Sequence, residues 1–223
     1  SHEMKTPLQV ISGYAELMKN DMVQPSDRQK FAALIYDEAQ TMRSLINDVL
    51  TLSKLDESAF ENDGATAINL YAVAQRVAGR LSSFADDQGV RVRVEGASAC
   101  IAGSETLAEE MLYNLIENGI RYNHEGGLVT MKVGSECVEG GLANAAYQTV
   151  VRVSDTGPGI PAELHDKVFE RFFRVDKSRS KETGGTGLGL AIVKHAVMYH
   201  GGVIEVESAE GQGTTFVLRF PSA

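Results

Sequence analysis

Asn114-Leu115-Ile116-Glu117-Asn118-Gly119-Ile120-Arg121-Tyr122-Asn123 is the stretch on which the reading of this chain turns. Asn114, Asn118 and Arg121 recur at i, i+4 and i+7, one stripe of a helix, while Leu112, Leu115 and Ile116 face elsewhere. Two carboxamide oxygens on one face can ligate a hard cation such as Mg²⁺ and leave room for phosphate oxygens. Arg121 adds charge for a phosphate, and Tyr122 offers a flat ring for a base. Taken alone, the same stripe is equally a polar helix face turned to solvent.

Outward from it, the pattern alternates between elements. Ser104 can cap the helix, which runs to about Asn123. Upstream, Val90 to Val94 reads as a strand, Thr66 to Ile68 and Ala99 to Ala102 are candidates for two more short ones, and Asn69 can cap a helix that ends at Gly89. Downstream, Leu128 to Gly134 and Tyr147 to Ser154 read as strands joined by a Gly/Glu/Ala-rich connection. A short helical pattern covers Ala162 to Phe173, and a longer one Leu188 to His200, stopped by Gly201-Gly202. Val203 to Glu207 and Thr214 to Phe220 close the segment as a strand pair. The expectation is about five strands and three helices, with the helices on one face of a mixed sheet.

Three further clusters suit the same kind of ligand. Asp155-Thr156-Gly157-Pro158-Gly159-Ile160 follows a strand directly. Its carboxylate can accept from an amine-bearing base, and Gly157 and Gly159 let a ligand approach the backbone. Gly184-Gly185-Thr186-Gly187-Leu188-Gly189-Leu190 opens a helix, where backbone N–H groups can hold phosphate oxygens. Neither a Walker A loop nor a G-x-G-x-x-G fingerprint occurs in the chain. Glu170-Arg171-Phe172-Phe173-Arg174 can pin a lid by its aromatics, while Arg174, Lys177, Arg179 and Lys181 approach phosphates.

The first quarter of the chain has a different period. Met4, Leu8, Ile11, Ala15 and Met18 form a heptad-like seam, continued on a second helix by Phe31, Ile35, Met42, Leu45, Val49 and Leu52. Pro7 should bend or loosen the first helix beside His2. Ser26 with Gln29 reads as a capping box for the second helix, and Glu38 takes a seam slot where an apolar residue would be expected. The first helix reads as roughly 22 residues and the second as roughly 30. Two such stripes cannot be buried by one hairpin, so a dimeric four-helix bundle is the economical solution.

Formal net charge is −9 over 223 residues, which argues against nucleic acid and against an anionic membrane surface as partners. Cys100 and Cys137 lack metal-like spacing, and free thiols in a reducing compartment are expected. No apolar run is long enough to span a bilayer. The chain opens inside a helical pattern without Met, so it reads as a fragment of something longer.

At that opening stands Ser1-His2-Glu3-Met4-Lys5-Thr6-Pro7-Leu8. An imidazole can be a nucleophile, and the adjacent glutamate is the nearest acceptor for its proton. With this stretch as an H-box, Asn114 to Asn123 as an N-box, Asp155 to Ile160 as a G1 box, Phe169 to Phe173 as an F-box and Gly185 to Leu190 as a G2 box, the chain resembles the catalytic core of a bacterial two-component sensor histidine kinase. The five motifs stand in the family's order over nearly all of the chain. Arg121 stands where lysine is usual, and Gly119 replaces a common alanine.

The resemblance implies an α+β fold: a dimerisation and histidine-phosphotransfer helical hairpin over 1–60, a linker over 61–67, and a Bergerat-type ATP-binding sandwich over 68–223. It implies His2 as phospho-acceptor, Glu3 as its proton acceptor, and Thr6 as the residue that positions water for dephosphorylating a regulator. Asn114 and Asn118 would hold Mg²⁺. Arg121 and Arg174 would meet the phosphates of ATP, Asp155 the adenine amine and Tyr122 the adenine ring, with Gly157, Gly159, Gly185, Thr186, Gly187, Leu188 and Gly189 completing the site. The implied partners are a second copy of the chain and a response regulator receiver domain, and the implied parent sits in the bacterial inner membrane. Because His2 is the second residue, the ATP site is expected intact but the His2 end frayed, with weak autophosphorylation. Two rival readings are a nucleotide-binding module that has lost catalysis and an ATP-driven clamp of the topoisomerase or chaperone type. The intact His2, Glu3, Asn118 and Asp155 speak against the first, and His2 on a helical hairpin speaks against the second.

Overall fold

The structure is a computed structural model that describes residues 2–57, 66–138, 146–175 and 185–222. Two helices come first, α1 (His2–Lys19) and α2 (Arg28–Glu57). They pack along their seams, with the rings of Tyr14 and Phe31 edge to face at 5.2 Å. α1 has 18 residues and α2 has 30, so the first helix is shorter than its pattern suggested. α1 also continues through Pro7, which removes only the one backbone bond that an N–H there would give to the Glu3 carbonyl. The capping box at Ser26 and Gln29 does not form. Pro25–Asp27 is instead a 3₁₀ turn without a side-chain cap, and α2 begins after it. Glu38 is half-buried on the seam side of α2.

The remainder is a layered α/β unit. A two-stranded antiparallel sheet pairs β1 (Thr66–Asn69) with β3 (Cys100–Gly103). A five-stranded mixed sheet has the order β2-β4-β5-β7-β6, formed by β2 (Arg91–Gly96), β4 (Leu128–Val138), β5 (Ala146–Asp155), β6 (Val203–Ser208) and β7 (Thr214–Pro221). Only β2 and β4 are parallel, which requires the long crossover through β3 and α5 (Glu105–Arg121). The expected helix from Asn69 to Gly89 is two helices, α3 (Leu70–Arg80) and α4 (Ser82–Asp87), broken at Leu81. Asn69 does cap the first, accepting from the Tyr71 and Ala72 N–H groups. The helical pattern at Ala162 to Phe173 resolves into two 3₁₀ turns, Ala162–Leu164 and Lys167–Phe169. A last helix, α6 (Gly189–Tyr199), follows the glycine-rich loop.

One core lies between the helices and the inner face of the large sheet. α5 buries Ala108, Met111, Leu112, Leu115, Ile116, Gly119 and Ile120, one continuous face at helical spacing. Val129, Met131, Val133, Val151, Val153, Phe216 and Leu218 answer from the strands. A second, smaller cluster joins the two parts of the chain: Leu45 and Leu52 of α2 pack with Leu188, Ala191 and Ile192, flanked by Val49 and Phe172. Among the described residues no helix is long and apolar enough to cross a membrane.

Candidate functional site

The site assembles where α5 ends, β5 ends and α6 begins. Gly119 sets the spacing. A Cβ there would stand 3.1 Å from Val129 and 3.6 Å from the Asp155 Cβ, so α5 lies tight on the sheet just where β5 delivers its last residue. Asp155 therefore emerges beside Gly119 near the end of α5, close to the backbone of Tyr122, which caps that helix. Its Oδ1 accepts from the Gly157 N–H at 2.8 Å and from the Thr214 N–H at 3.3 Å. Burial pushes its carboxyl up from the ordinary range, and these two N–H groups oppose that. Both bonds fall on one oxygen, and the second oxygen can accept from an amine. Gly157 is packed against the same corner: a Cβ would meet the Tyr122 carbonyl oxygen at 2.8 Å. Gly159 approaches the Ala209 carbonyl oxygen closely and has φ of +75°.

The sequence reading missed the far wall of this corner. Ser208 accepts from the Ile160 N–H at 2.8 Å, donates to the Gly213 carbonyl at 2.8 Å, and lies 3.1 Å from the Thr214 hydroxyl. Thr214 is buried and directly opposite Asp155 in the β5–β7 register. The one available signal was Gly211 to Thr215, a turn with glycines at both ends feeding a strand.

The helix stripe divides by function. Asn114 donates from Nδ2 to the Glu110 carbonyl at 2.9 Å, and its Oδ1 lies against Gly189, where a Cβ would come within 2.6 Å. No hydrogen bond of the Asn118 carboxamide is present among the described residues, which leaves both its atoms for a ligand. Arg121 is held by Glu117 at 2.7 Å and lies over the Phe84 ring at 5.5 Å, so its charge is engaged on the helix flank. Tyr122 is half-exposed, and its hydroxyl would be 3.1 Å from a Cβ on Gly185.

The glycine-rich loop is anchored at both shoulders. The Phe172 N–H donates to the Gly187 carbonyl at 2.8 Å, with Phe172 at φ +65° and Gly187 at φ +72°. Arg174 donates to the Gly185 carbonyl. Leu188 then leads into α6, whose N-terminal N–H groups and dipole favour an anion. Thr186 accepts from the Leu188 N–H at 3.2 Å and donates to Asp48 of α2 at 2.7 Å. That last contact crosses from one part of the chain to the other, and no sequence pattern announced it.

Other site residues lie elsewhere. Thr6 is exposed on α1, and His2 and Glu3 belong to its first turn, their side chains lying outside what the structure describes. Lys177, Arg179, Lys181 and Gly184 also lie outside the described residues. The residues present suit ATP with Mg²⁺. No group of three or more His, Cys, Asp or Glu positioned for a metal occurs among the described residues. A cation here would take the Asn118 and Asn114 carboxamide oxygens and complete its shell from phosphates and water, the habit of Mg²⁺.

Comparison with known proteins points the same way. Residues 103–223 match the histidine kinase-, DNA gyrase B- and HSP90-like ATPase family, and residues 1–58 match the His Kinase A (phospho-acceptor) domain. The sensor-like histidine kinase SenX3 of Mycobacterium tuberculosis is 34% identical over 223 residues, which is 100% of this chain and 52% of SenX3. The chain thus spans about half the length of the curated relatives it matches. Full-length ShkA, solved in complex with AMPPNP, matches with a TM-score of 0.70 and 28% identity over 100% of this chain and 44% of its own. ThkA, solved in complex with the response regulator protein TrrA, matches with a TM-score of 0.72 over 100% of this chain and 59% of its own. At 22% identity this last likeness is one of fold.

Proposed function

The chain belongs to the histidine kinase-, DNA gyrase B- and HSP90-like ATPases as a two-component sensor histidine kinase core, and on that premise we propose that it phosphorylates His2 from ATP and passes the phosphoryl group to an aspartate of a response regulator. A ring nitrogen of His2 forms the new N–P bond as the bond from the γ-phosphorus to the bridging oxygen breaks, and ADP departs. The proton on the other ring nitrogen is held by Glu3. Most of the acceleration comes from placement and charge compensation, because phosphoryl transfer asks for little covalent work from the protein.

The single observation that carries the reading is the corner at Asp155. A half-buried carboxylate with a spare oxygen sits under Gly119 at the end of α5, beside Tyr122, whose hydroxyl reaches the Gly185 end of the glycine-rich loop. Asp155 takes the adenine amine, Tyr122 lies beside the base, and Gly157 and Gly159 admit the ring edge. Gly185, Thr186, Gly187, Leu188 and Gly189 present N–H groups to the phosphates. Arg174 holds the shoulder of that loop. Arg121 meets a phosphate by exchanging its Glu117 contact for one. Mg²⁺, held by Asn114 and Asn118, would supply charge neutralisation between the phosphates.

The hairpin gives the second copy its surface. Leu8, Tyr36, Ile46 and Leu50 are all at least 44% exposed on α1 and α2. A homodimer that buries them completes a four-helix bundle. The regulator would dock on the same bundle, and the fold is shared with ThkA, which was solved with one. Thr6, one turn beyond Glu3, positions water for the reverse, phosphatase reaction. Thr6→Ala should abolish regulator dephosphorylation and leave autophosphorylation intact. For the kinase reaction the test is γ-labelled ATP with Mg²⁺. The label should be acid-labile, base-stable and absent from His2→Gln. Label that persists in His2→Gln refutes the assignment.

A further inference from the structure

Asp48 belongs to the hairpin, yet its carboxylate ends on the nucleotide loop. The Thr186 hydroxyl donates to Asp48 Oδ2 at 2.7 Å and accepts from the Leu188 N–H at 3.2 Å. That N–H stands at the start of α6, where backbone donors lack helical partners. One hydroxyl therefore ties α2 to the phosphate-binding end of α6. Around it Leu45, Val49 and Leu52 close an apolar seam with Leu188, Ala191, Ile192 and Phe172.

The electrostatics of this spot are poor for a carboxylate. No cation pairs with Asp48 among the described residues. Burial pushes its carboxyl up, the Thr186 bond opposes that, and the nearby Glu117 carboxylate adds repulsion. A di- or triphosphate bound on the same loop would bring more negative charge to the place where the Asp48 charge is already least tolerated.

We propose that Asp48 is the residue through which the helical hairpin registers phosphate on the glycine-rich loop: without phosphate it holds Thr186 and keeps α2 docked, and bound phosphate repels it and frees α2. The proposal rests on the reading of Gly185 to Gly189 as a phosphate site. By linkage the two events are reciprocal, so docking weakens nucleotide binding by the same factor by which nucleotide weakens docking. Asp48 is a positioning residue, since it need touch neither the nucleotide nor His2.

The experiment is equilibrium binding of adenosine, ADP and a non-hydrolysable ATP analogue, with Mg²⁺, to the full chain and to Asp48→Asn. Asparagine keeps an acceptor for Thr186 but removes the charge. Asp48→Asn should bind ADP and the ATP analogue about fivefold or more tighter, with adenosine affinity unchanged. In the unsubstituted chain, the ATP analogue should also speed hydrogen exchange of the amides in 45–52. An equal gain for adenosine would mean a merely structural role and overturn the proposal. So would equal ATP-analogue affinity in the two proteins, or exchange in 45–52 that ignores the analogue; these leave the ATP site standing. Failure of both proteins to bind any of the three ligands would overturn the ATP site and this proposal together.

Discussion

Asp155 and His200 show how a single side chain drawn partly or wholly out of water sets a measurable quantity. Asp155 spends one oxygen on the Gly157 and Thr214 N–H groups and keeps the other for a ligand. Asp155→Asn should lower ATP affinity about tenfold or more, because an amide placed there offers its donor to the adenine amine. Circular dichroism should remain that of the folded protein, and isothermal titration would measure the loss. His200 is buried, with Nδ1 donating to the Ala196 carbonyl at 2.7 Å and Nε2 accepting from the Ser104 N–H at 3.3 Å. Burial lowers its pKa, outweighing the contacts to Ala196 and Ser104. The unfolded chain therefore takes up a proton at a higher pH than the folded one. The contribution of His200 to stability is complete above about pH 6.5 and is lost as pH falls from there through the lowered folded value, at up to about 1.4 kcal/mol per pH unit. Urea denaturation between neutral pH and pH 5 should show this slope in the native chain and a shallower one in His200→Gln. Asp155 was legible in the sequence because a carboxylate before glycines at a strand end is a local pattern. His200 was not, since its partner at Ser104 lies 96 residues away.

Elements were legible where a period ran undisturbed. α5, α6 and the strands alternating around Val92, Met131 and Val151 announced themselves by apolar spacing. The reading failed where backbone chemistry overrode the period, as at Leu81, where one expected helix becomes two. It failed again at Pro25, whose ring suits a tight turn as well as a helix start. Gly126 and Gly213 illustrate what a turn demands beyond a glycine letter. Both have φ near +80°, but a Cβ on Gly126 meets nothing within 4 Å, whereas one on Gly213 would lie 2.0 Å from the Asp155 carbonyl oxygen. Gly126→Ala should cost about 1–2 kcal/mol of strain, and Gly213→Ala more than about 3 kcal/mol, since the β5–β7 ladder must also shift. Chemical denaturation of the two variants side by side would show the difference, and ATP binding should fall with Gly213→Ala alone.

For the molecule as a whole, the mixed sheet under helices and the antiparallel hairpin both followed from pattern. The seam between Leu45, Leu52 and Leu188 did not, because a heptad stripe marks a face to be covered without naming what covers it. The exposed apolar side chains beside the stripe make a separate prediction. Tyr36 is 63% exposed and Leu50 53%. Charged residues there should resist burial between copies, so Tyr36→Glu with Leu50→Glu should shift the chain from dimer to monomer in analytical ultracentrifugation. Nucleotide affinity should stay within about twofold, since neither residue lines the Asp155 corner.

The His200 contact has a mechanical consequence. Ser104 caps the start of α5 and His200 closes the end of α6, so one imidazole pins two helices together at the ends remote from Asn118 and Gly189. The helices are rods about 25 Å and about 16 Å long. Between them Met111, Leu112 and Leu115 share one core with Val193, Ala196 and Val197, so the imidazole fixes the register of two helices already packed side by side, and with it the approach of Asn114 to Gly189.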